Sequence, residues 1–546
     1  GKRRQMQFVG KLMRKLTDEQ IDAVRAALDA QRLGPAADTL RLQLASEPDH
    51  LDPALNSSVD GACLAIMGFG GLYTYANGQD APVPNYATGV EVSEDGLTYE
   101  FAIREGLKWS NGDPLTAKDF EYSWKRVLDP ALASETAYTL YGVIKNGYEH
   151  FVDQTATADE VGVKALDDRT LEVTLMAPAP YFISMTASTA FMPVKKAIID
   201  EYGEEWETKV ESYVCNGPFM VTEMLPDEKY VFVKNPHYYN ADEVKIDTLE
   251  YVFLGASETV LLAFEGGEID VATSVNADAE AKYRDTENLV ISDRIGYRYY
   301  EFNTANKPVD DARVRRALTM AINREVLISA ILQSDMPALR GFIPHAFPDI
   351  ADPSKGWREV HPDTFSEDIE AAKALLADAG YPDGKDFPAI RLVQTPDATL
   401  VKVAQAMAQM WKQNLNVDTE IVTVESGVYW SDAGQRDTGE FELAYMGYTG
   451  DYLDPSSILF NFASEKEENV MRWNNEAYND MMKKARSGVT GEEREKLFEE
   501  AEALLTEECP VMPVYSYVSS ALVSSRVKGF TRNYIGHPNF EYCYIE

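Results

Sequence analysis

No stretch of the chain approaches the roughly 18 to 20 consecutive apolar residues that a membrane-crossing helix needs. Nothing within its 546 residues is therefore expected to span a bilayer. Cysteine is scarce, limited to Cys63, Cys215, Cys509 and Cys543, and none lies near enough to another for a CxxC metal or redox motif. Two disulfides in an oxidising compartment, with three possible pairings, and four buried thiols are both open readings. Histidine occurs only as His50, His150, His237, His345, His361 and His537, and no zinc-ligand spacing joins any of them. The chain has no HExxH, no GxSxG elbow and no Walker A sequence. Gly68-Phe69-Gly70-Gly71 lacks the dinucleotide fingerprint and reads as a close-packed turn. Asp451-Tyr452-Leu453-Asp454 lacks the glycine and distal glutamate of an EF-hand loop. No metal or other cofactor is implied, no catalytic residue is recognisable, and the expectation is that the protein is not an enzyme. Positive charge is also short. Lys and Arg total 51 against 89 Asp and Glu, a net charge of −38. That balance argues against nucleic acid as the main partner, because a phosphate backbone demands clustered Lys and Arg. The excess reads as a solvated acidic surface.

What is present is ample core material. Hydrophobic residues make up 45% of the chain and aromatics 11%, and a chain of this length is expected to divide into two or three domains or lobes. The start stands apart. Residues 1–34 open on the basic stretch GKRRQMQFVGKLMRKL and continue as an amphipathic helical pattern with Ile21, Val24 and Leu28 on one stripe. Lys2-Arg3-Arg4 is not followed by the apolar core and cleavage site of a secretory signal. If the protein is exported, its signal is expected to have been removed ahead of this segment. Residues 1–34 are read as an appended or fused segment; an artefact of expression, a tethered ligand and a natural extension all remain open.

The globular body then begins near Asp38. Leu40, Leu42 and Leu44 alternate with polar residues as in a half-buried strand, and Leu97, Tyr99, Phe101 and Ile103 repeat the pattern after a Glu94-Asp95-Gly96 turn. Thr116 with Asp119 forms a capping box ahead of a helix through Trp124. TLEVTL from Thr170 and KYVFVK from Lys229 read as strands. Helices are predicted over Asp311–Leu327, from a Ser366 cap to Gly380, over Leu400–Leu415 and over Glu492–Leu505. Strands and helices mix along the chain, which indicates an α/β or α+β architecture.

The block VEVSEDGLTYEFAIREGLKWSNGDPLTAKDFEYSWKRVLDP, Val90 to Pro130, resembles the solute-binding proteins of bacterial peptide importers, the oligopeptide- and dipeptide-binding family (extracellular solute-binding protein family 5). Further matches follow in that family's order, among them Asn216-Gly217-Pro218-Phe219, Gly267-Glu268-Ile269-Asp270, Arg313-Val314-Arg315-Arg316-Ala317-Leu318, Ala379-Gly380-Tyr381-Pro382 and Gly450-Asp451-Tyr452-Leu453-Asp454-Pro455. Trp109, Phe120 and Trp124 within the long block read as core anchors. The resemblance implies an α/β, periplasmic-binding-protein-like, two-lobed hinge fold with an extra inserted domain. Lobe I would combine 35–70, 194–296 and 518–546, an inserted lobe II would span 71–193, and lobe III would span 297–517. The solute would be trapped as the lobes close.

The same resemblance implies the site. A binder that accepts many peptides must read their invariant parts, the ammonium, the backbone and the carboxylate. Asp451 stands at the family's position for pairing the peptide amine, and a buried ammonium needs such a partner. Gly447, Tyr448 and Thr449 would offer backbone groups and an aromatic wall. Val59 and Ser57 would pair with the peptide backbone from lobe I, as an added strand does. Tyr517 and Tyr299 match family tyrosines near the ligand, Tyr429 stands where relatives place a tryptophan in a side-chain pocket, and Tyr138 would line a pocket. Arg436 matches a basic position near the far end of the ligand. Two departures bear on that end: Tyr445 stands where relatives carry arginine, and Ser57 replaces an acid of some relatives. The implied partners are a peptide and the permease subunits of an ABC transporter. A monomer is expected outside the cytoplasm, either in a periplasm or lipid-anchored on the outer face of the membrane. Competing readings are the same fold holding a nickel complex, haem, a sugar or a signalling peptide; a peptide-processing enzyme; and an adhesin or chaperone using the groove for unfolded segments.

Overall fold

The structure is a computed structural model that describes residues 39–75, 81–429, 439–463, 470–486, 489–533 and 535–546. The appended segment 1–34 and Arg436 lie outside the described residues. Ten strands form one mixed sheet in the order Thr419–Thr423, Ile390–Gln394, Leu443–Thr449, Leu289–Phe302, Val511–Val523, Val271–Ala272, Thr39–Leu44, Thr248–Phe253, Lys229–Lys234 and Phe219–Leu225.

The strand Thr39–Leu44 is not half-buried as its alternation suggests. It lies inside the sheet, parallel to both Thr248–Phe253 and Val271–Ala272, and both of its faces are covered. Gln43 tolerates this because its amide is fully used. It donates to the Leu254 carbonyl (2.8 Å) and Ser274 Oγ (2.9 Å) and accepts from the backbone N–H groups of Thr273 and Ser274.

Two strands are far longer than the usual five or six residues. Leu289–Phe302 has 14 residues and Val511–Val523 has 13, and they run antiparallel as neighbours. Their ends serve different halves of the sheet. Leu522 and Val523 pair with Val271–Ala272, whereas Gly296–Phe302 pairs with Leu443–Thr449. The ladder between the long strands is interrupted between Asp293 and Tyr297 and shifts again between Arg298 and Tyr299. Among the described strands, this ribbon alone joins the two halves, and a broken ladder is where a ribbon bends.

A separate four-stranded antiparallel sheet is built wholly from residues 87–174, and the helix Ala117–Val127 packs on it. The capping box forms as its sequence dictates: Asp119 Oδ2 accepts the Thr116 N–H at 2.8 Å while Thr116 Oγ1 accepts from Lys118. Trp109, Phe120 and Trp124 are wholly buried. Arg126, at the end of this helix, grips the buried Asp52 with both guanidinium nitrogens (3.1 and 2.6 Å) and ties the module to the large sheet's side of the molecule.

The helix expected over Asp311–Leu327 is broken. Ala312–Met320 ends, and Asn323 accepts the Val326 N–H with its side chain and starts a new turn that widens into Leu327–Leu332. An asparagine that bonds local backbone competes with helix continuation. The break turns Arg324 inward, where it donates to the Pro513 carbonyl at 2.7 and 2.9 Å. The later helix is capped by Asp368, not Ser366, and runs Ile369–Asp378; Asp368 Oδ1 accepts the Ala371 N–H at 2.9 Å. Ala398–Leu415 and Gly491–Glu508 each extend slightly beyond the predicted spans.

All four cysteines are unpaired and buried, which settles the open choice against disulfides. Burial pushes the Cys63, Cys215 and Cys543 thiols up to about 12, so they are protonated and inert at neutral pH. A thiol reagent is expected to label none of the four in the folded protein and all four in denaturant, with the melting temperature indifferent to reductant. Labelling of only two in denaturant without reductant would contradict this.

Candidate functional site

The site assembles where the long ribbon crosses the strand Leu443–Thr449. Gly296 pairs with Thr449 and Arg298 with Gly447, and the Gly450 N–H donates to the Ile295 carbonyl at 2.6 Å. Two glycines are required by contact. A Cβ on Gly447 would lie 2.0 Å from Tyr517 Oη and 2.6 Å from Arg298 Nη1, and one on Gly296 would lie 2.6 Å from the Tyr448 carbonyl and 2.7 Å from the Tyr517 ring. Their lack of side chains lets Tyr517 and Arg298 lie directly on the strands.

Past Thr449 the chain leaves the sheet and presents Asp451, which is only partly buried. Its Oδ2 accepts from the Tyr448 hydroxyl at 2.7 Å, its Oδ1 accepts from the Tyr138 hydroxyl at 3.0 Å, and its N–H donates to Ser457 Oγ at 2.7 Å. Tyr138 opens the short helix Tyr138–Tyr141, in the segment between two strands of the four-stranded sheet, 313 residues before Asp451. Burial first and the Asp451 charge second hold both phenols above the usual tyrosine range, so both remain donors to the carboxylate. A carboxylate has about four lone-pair sites, and the two phenols take two of them.

The loop is anchored three residues on. Asp454 accepts two parallel bonds from Arg494 (2.7 and 2.8 Å), and both groups are buried. Burial raises the Asp454 carboxyl, but Arg494 and the bonds from Ser456 outweigh it and hold it below the ordinary carboxylate range. Tyr452 stacks on Tyr181 at 4.7 Å between ring centres, a second contact with the smaller module.

The residues singled out in the sequence separate into groups. Asp451, Tyr448 and Tyr138 meet directly. Thr449 accepts from Arg294 Nη2 at 2.8 Å, and Tyr517 lies beside Gly447 and Gly296. Val59 opens the helix Val59–Gly68 and is 56% exposed, with Ser57 exposed just before it. Tyr299 and Tyr429 stand behind the surface. Tyr299 is buried and stacks on Tyr297, while Tyr429 is wholly buried with its hydroxyl donating to the Tyr445 carbonyl at 2.6 Å. Sequence reasoning missed Arg294 and Arg298. The available signal was two arginines in RIGYRYYEF, a stretch otherwise rich in buried aromatics.

A mixed α/β body, two sheet halves joined by a bent ribbon, and a half-exposed acid beside the crossing define a solute-binding protein. The family described as "Bacterial extracellular solute-binding proteins, family 5 Middle" matches residues 81–469. The chain is 32% identical over 520 residues to the oligopeptide-binding protein OppA of Bacillus subtilis, spanning 93% of each chain. It is 33% identical over 465 residues to the dipeptide-binding protein DppE of the same organism, covering 85% of this chain and 84% of that one. Among solved structures, the murein tripeptide-binding protein MppA of Escherichia coli superposes with a TM-score of 0.76 at 31% identity, over 94% of this chain and 99% of that one. The chain belongs to the bacterial extracellular solute-binding proteins of family 5.

Proposed function

We infer that this protein captures short peptides outside the cytoplasmic membrane and hands them to the permease of an ABC importer, binding its solute without transforming it. The observation that carries this reading is Asp451, a partly exposed carboxylate held by Tyr448 of its own segment and by the distant Tyr138. Such a group suits a peptide ammonium, whose burial without a counter-charge would cost several kcal/mol. The relatives support it by name, as oligopeptide- and dipeptide-binding proteins. So does the Haemophilus influenzae OppA solved in complex with RPPGFSPFR, at 26% identity and a TM-score of 0.74 over 94% of this chain and 99% of that one.

In this mechanism residues 35–70, 194–296 and 518–546 form one lobe, 71–193 an insertion and 297–517 the facing lobe. The ribbon interrupted at residues 294–296 is the hinge. Ligand bridges the lobes, so binding favours the closed state by its differential affinity. Val59 and Ser57 on one side and Gly447 to Thr449 on the other supply backbone groups that pair with any peptide, while Tyr517 forms part of the wall. The protein acts as a monomer, in a periplasm or lipid-anchored on the outer face of the membrane.

Mass spectrometry of small molecules released on mild denaturation tests the substrate class. Peptides of a few residues at near-stoichiometric yield are expected; a metal complex, haem or a sugar would keep the fold and overturn the peptide reading.

A further inference from the structure

The crossing ribbon carries positive charge that no described carboxylate balances. Arg294 and Arg298 flank the interruption in the long strand Leu289–Phe302, and Arg532 lies on the short strand Thr531–Arg532. Arg298 lies 4.3 Å over the Tyr445 ring and 5.4 Å from the centre of Tyr517; Arg294 lies 5.4 Å from the same Tyr517 ring and donates to Thr449 Oγ1. Among the described residues no carboxylate lies within ion-pair distance of any of the three. Their Nε atoms, and Nδ1 of the neighbouring His537, are closed off from solvent without an acceptor.

Elsewhere the chain treats enclosed arginines differently. Arg494 is paired with Asp454, Arg126 with Asp52, Arg358 with Glu502 and Arg526 with Asp270. Clustered guanidiniums without a counter-ion cost stability, and here they cluster in a chain with 38 excess negative charges. None of the described acidic side chains is placed to pair with them. The arginines are only partly buried as residues, so an anion from outside can reach them.

The position is informative. Arg298 stands opposite Gly447, and Asp451 follows four residues later on the same chain. That is at most roughly 13 Å along an extended strand, so an extended ligand of about two to four residues spans both charges.

We propose that Arg298 and Arg294 form an anion subsite that receives a carboxylate of the captured peptide, so that the preferred solute is a short zwitterion whose negative charge lies within about four residues of its amine. The carboxylate is either the peptide C-terminus or an acidic side chain. The assignment rests on the peptide reading above and deepens it. Guanidinium and carboxylate match as forks, which gives both direction and energy.

Calorimetric titration of the wild type, Arg298→Gln and Arg294→Gln with three peptides tests it: Ala-Ala-Ala, its C-terminal amide, and Ala-Glu-Ala amide. If the C-terminus is bound, amidation of Ala-Ala-Ala weakens wild-type binding by about 10- to 100-fold, and the penalty shrinks to within about threefold in the Arg298→Gln protein. If a side chain is bound, Ala-Glu-Ala amide outbinds Ala-Ala-Ala amide by a similar factor in the wild type, and that preference collapses in the variant. Arg294→Gln is expected to act in the same direction and serves alone should Arg298→Gln not fold. A wild type indifferent to both anions, or variants that discriminate as the wild type does, would overturn the subsite while leaving peptide capture standing. A wild type that binds none of the three would overturn peptide capture and this assignment with it.

Discussion

Replacing Asp451 by alanine is expected to weaken the binding of a short unmodified peptide by roughly two to three orders of magnitude. The physical reason is an asymmetry. The ammonium gives up its water on entering the cleft, and only a charged acceptor restores that loss. The phenols of Tyr138 and Tyr448 hold the carboxylate from two directions but carry no charge of their own, so they cannot substitute for it. Asp451→Asn separates charge from shape. It keeps one oxygen for the tyrosines and the same volume, and it is expected to lose nearly as much affinity as alanine. Tyr138→Phe should lose far less, about 1 kcal/mol, because it removes one neutral donor to the acid. If Asp451→Asn binds as the wild type does, the acid is a turn residue and the amine is read elsewhere.

The second large effect concerns stability. Arg494→Met is expected to cost about 3–5 kcal/mol, because it strands Asp454 in the interior without its cation. Unfolding in denaturant measures this directly. The double variant Arg494→Met with Asp454→Leu should recover much of the loss, since the stranded charge is gone. The pair also sets a pH dependence. Asp454 is held below its unfolded value by Arg494 and Ser456 despite its burial, so its contribution is fully present above the unfolded carboxylate range, near pH 4, and is lost as pH falls through the folded value. Wild-type stability is expected to fall on that acid limb, and the double variant should show a shallower fall. A single variant as stable as the wild type would mean that the 451–454 loop is held by packing alone. Because Asp451 lies in this loop, Arg494→Met should also weaken peptide binding in proportion to the loosened loop.

The parts of the fold that could be read from the sequence were those set by local chemistry. The Thr116–Asp119 capping box, the Thr98–Ile103 strand and the Ala398–Leu415 helix follow from residues that are neighbours in sequence. What escaped depends on long-range partners. Thr39–Leu44 reads as half-buried until Gln43 is seen bonding residues of two other segments. The Asp311–Leu327 stripe reads as one helix until Arg324 is seen bonding the Pro513 carbonyl.

The candidate site divides in the same way. Asp451 was legible because it lies within a run of residues that resembles a family. The tyrosine from a distant segment that touches it was placed only loosely. Arg294 and Arg298 were not legible, because an arginine in a strand is ordinary until it is known that no described carboxylate pairs with it. Tyr429 and Tyr299 were placed near the ligand by the resemblance alone; that both are buried was not legible, because the sequence does not carry burial.

The measurement that bears most directly on the central claim is a pair of calorimetric titrations of the wild-type protein, one with a tripeptide carrying a free amine and one with its N-acetylated form. Acetylation removes the positive charge and leaves the remaining backbone and the carboxylate untouched. Peptide capture through Asp451 predicts tight one-to-one binding of the free form and a loss of roughly 100-fold or more on acetylation. Equal affinity for the two forms would contradict it.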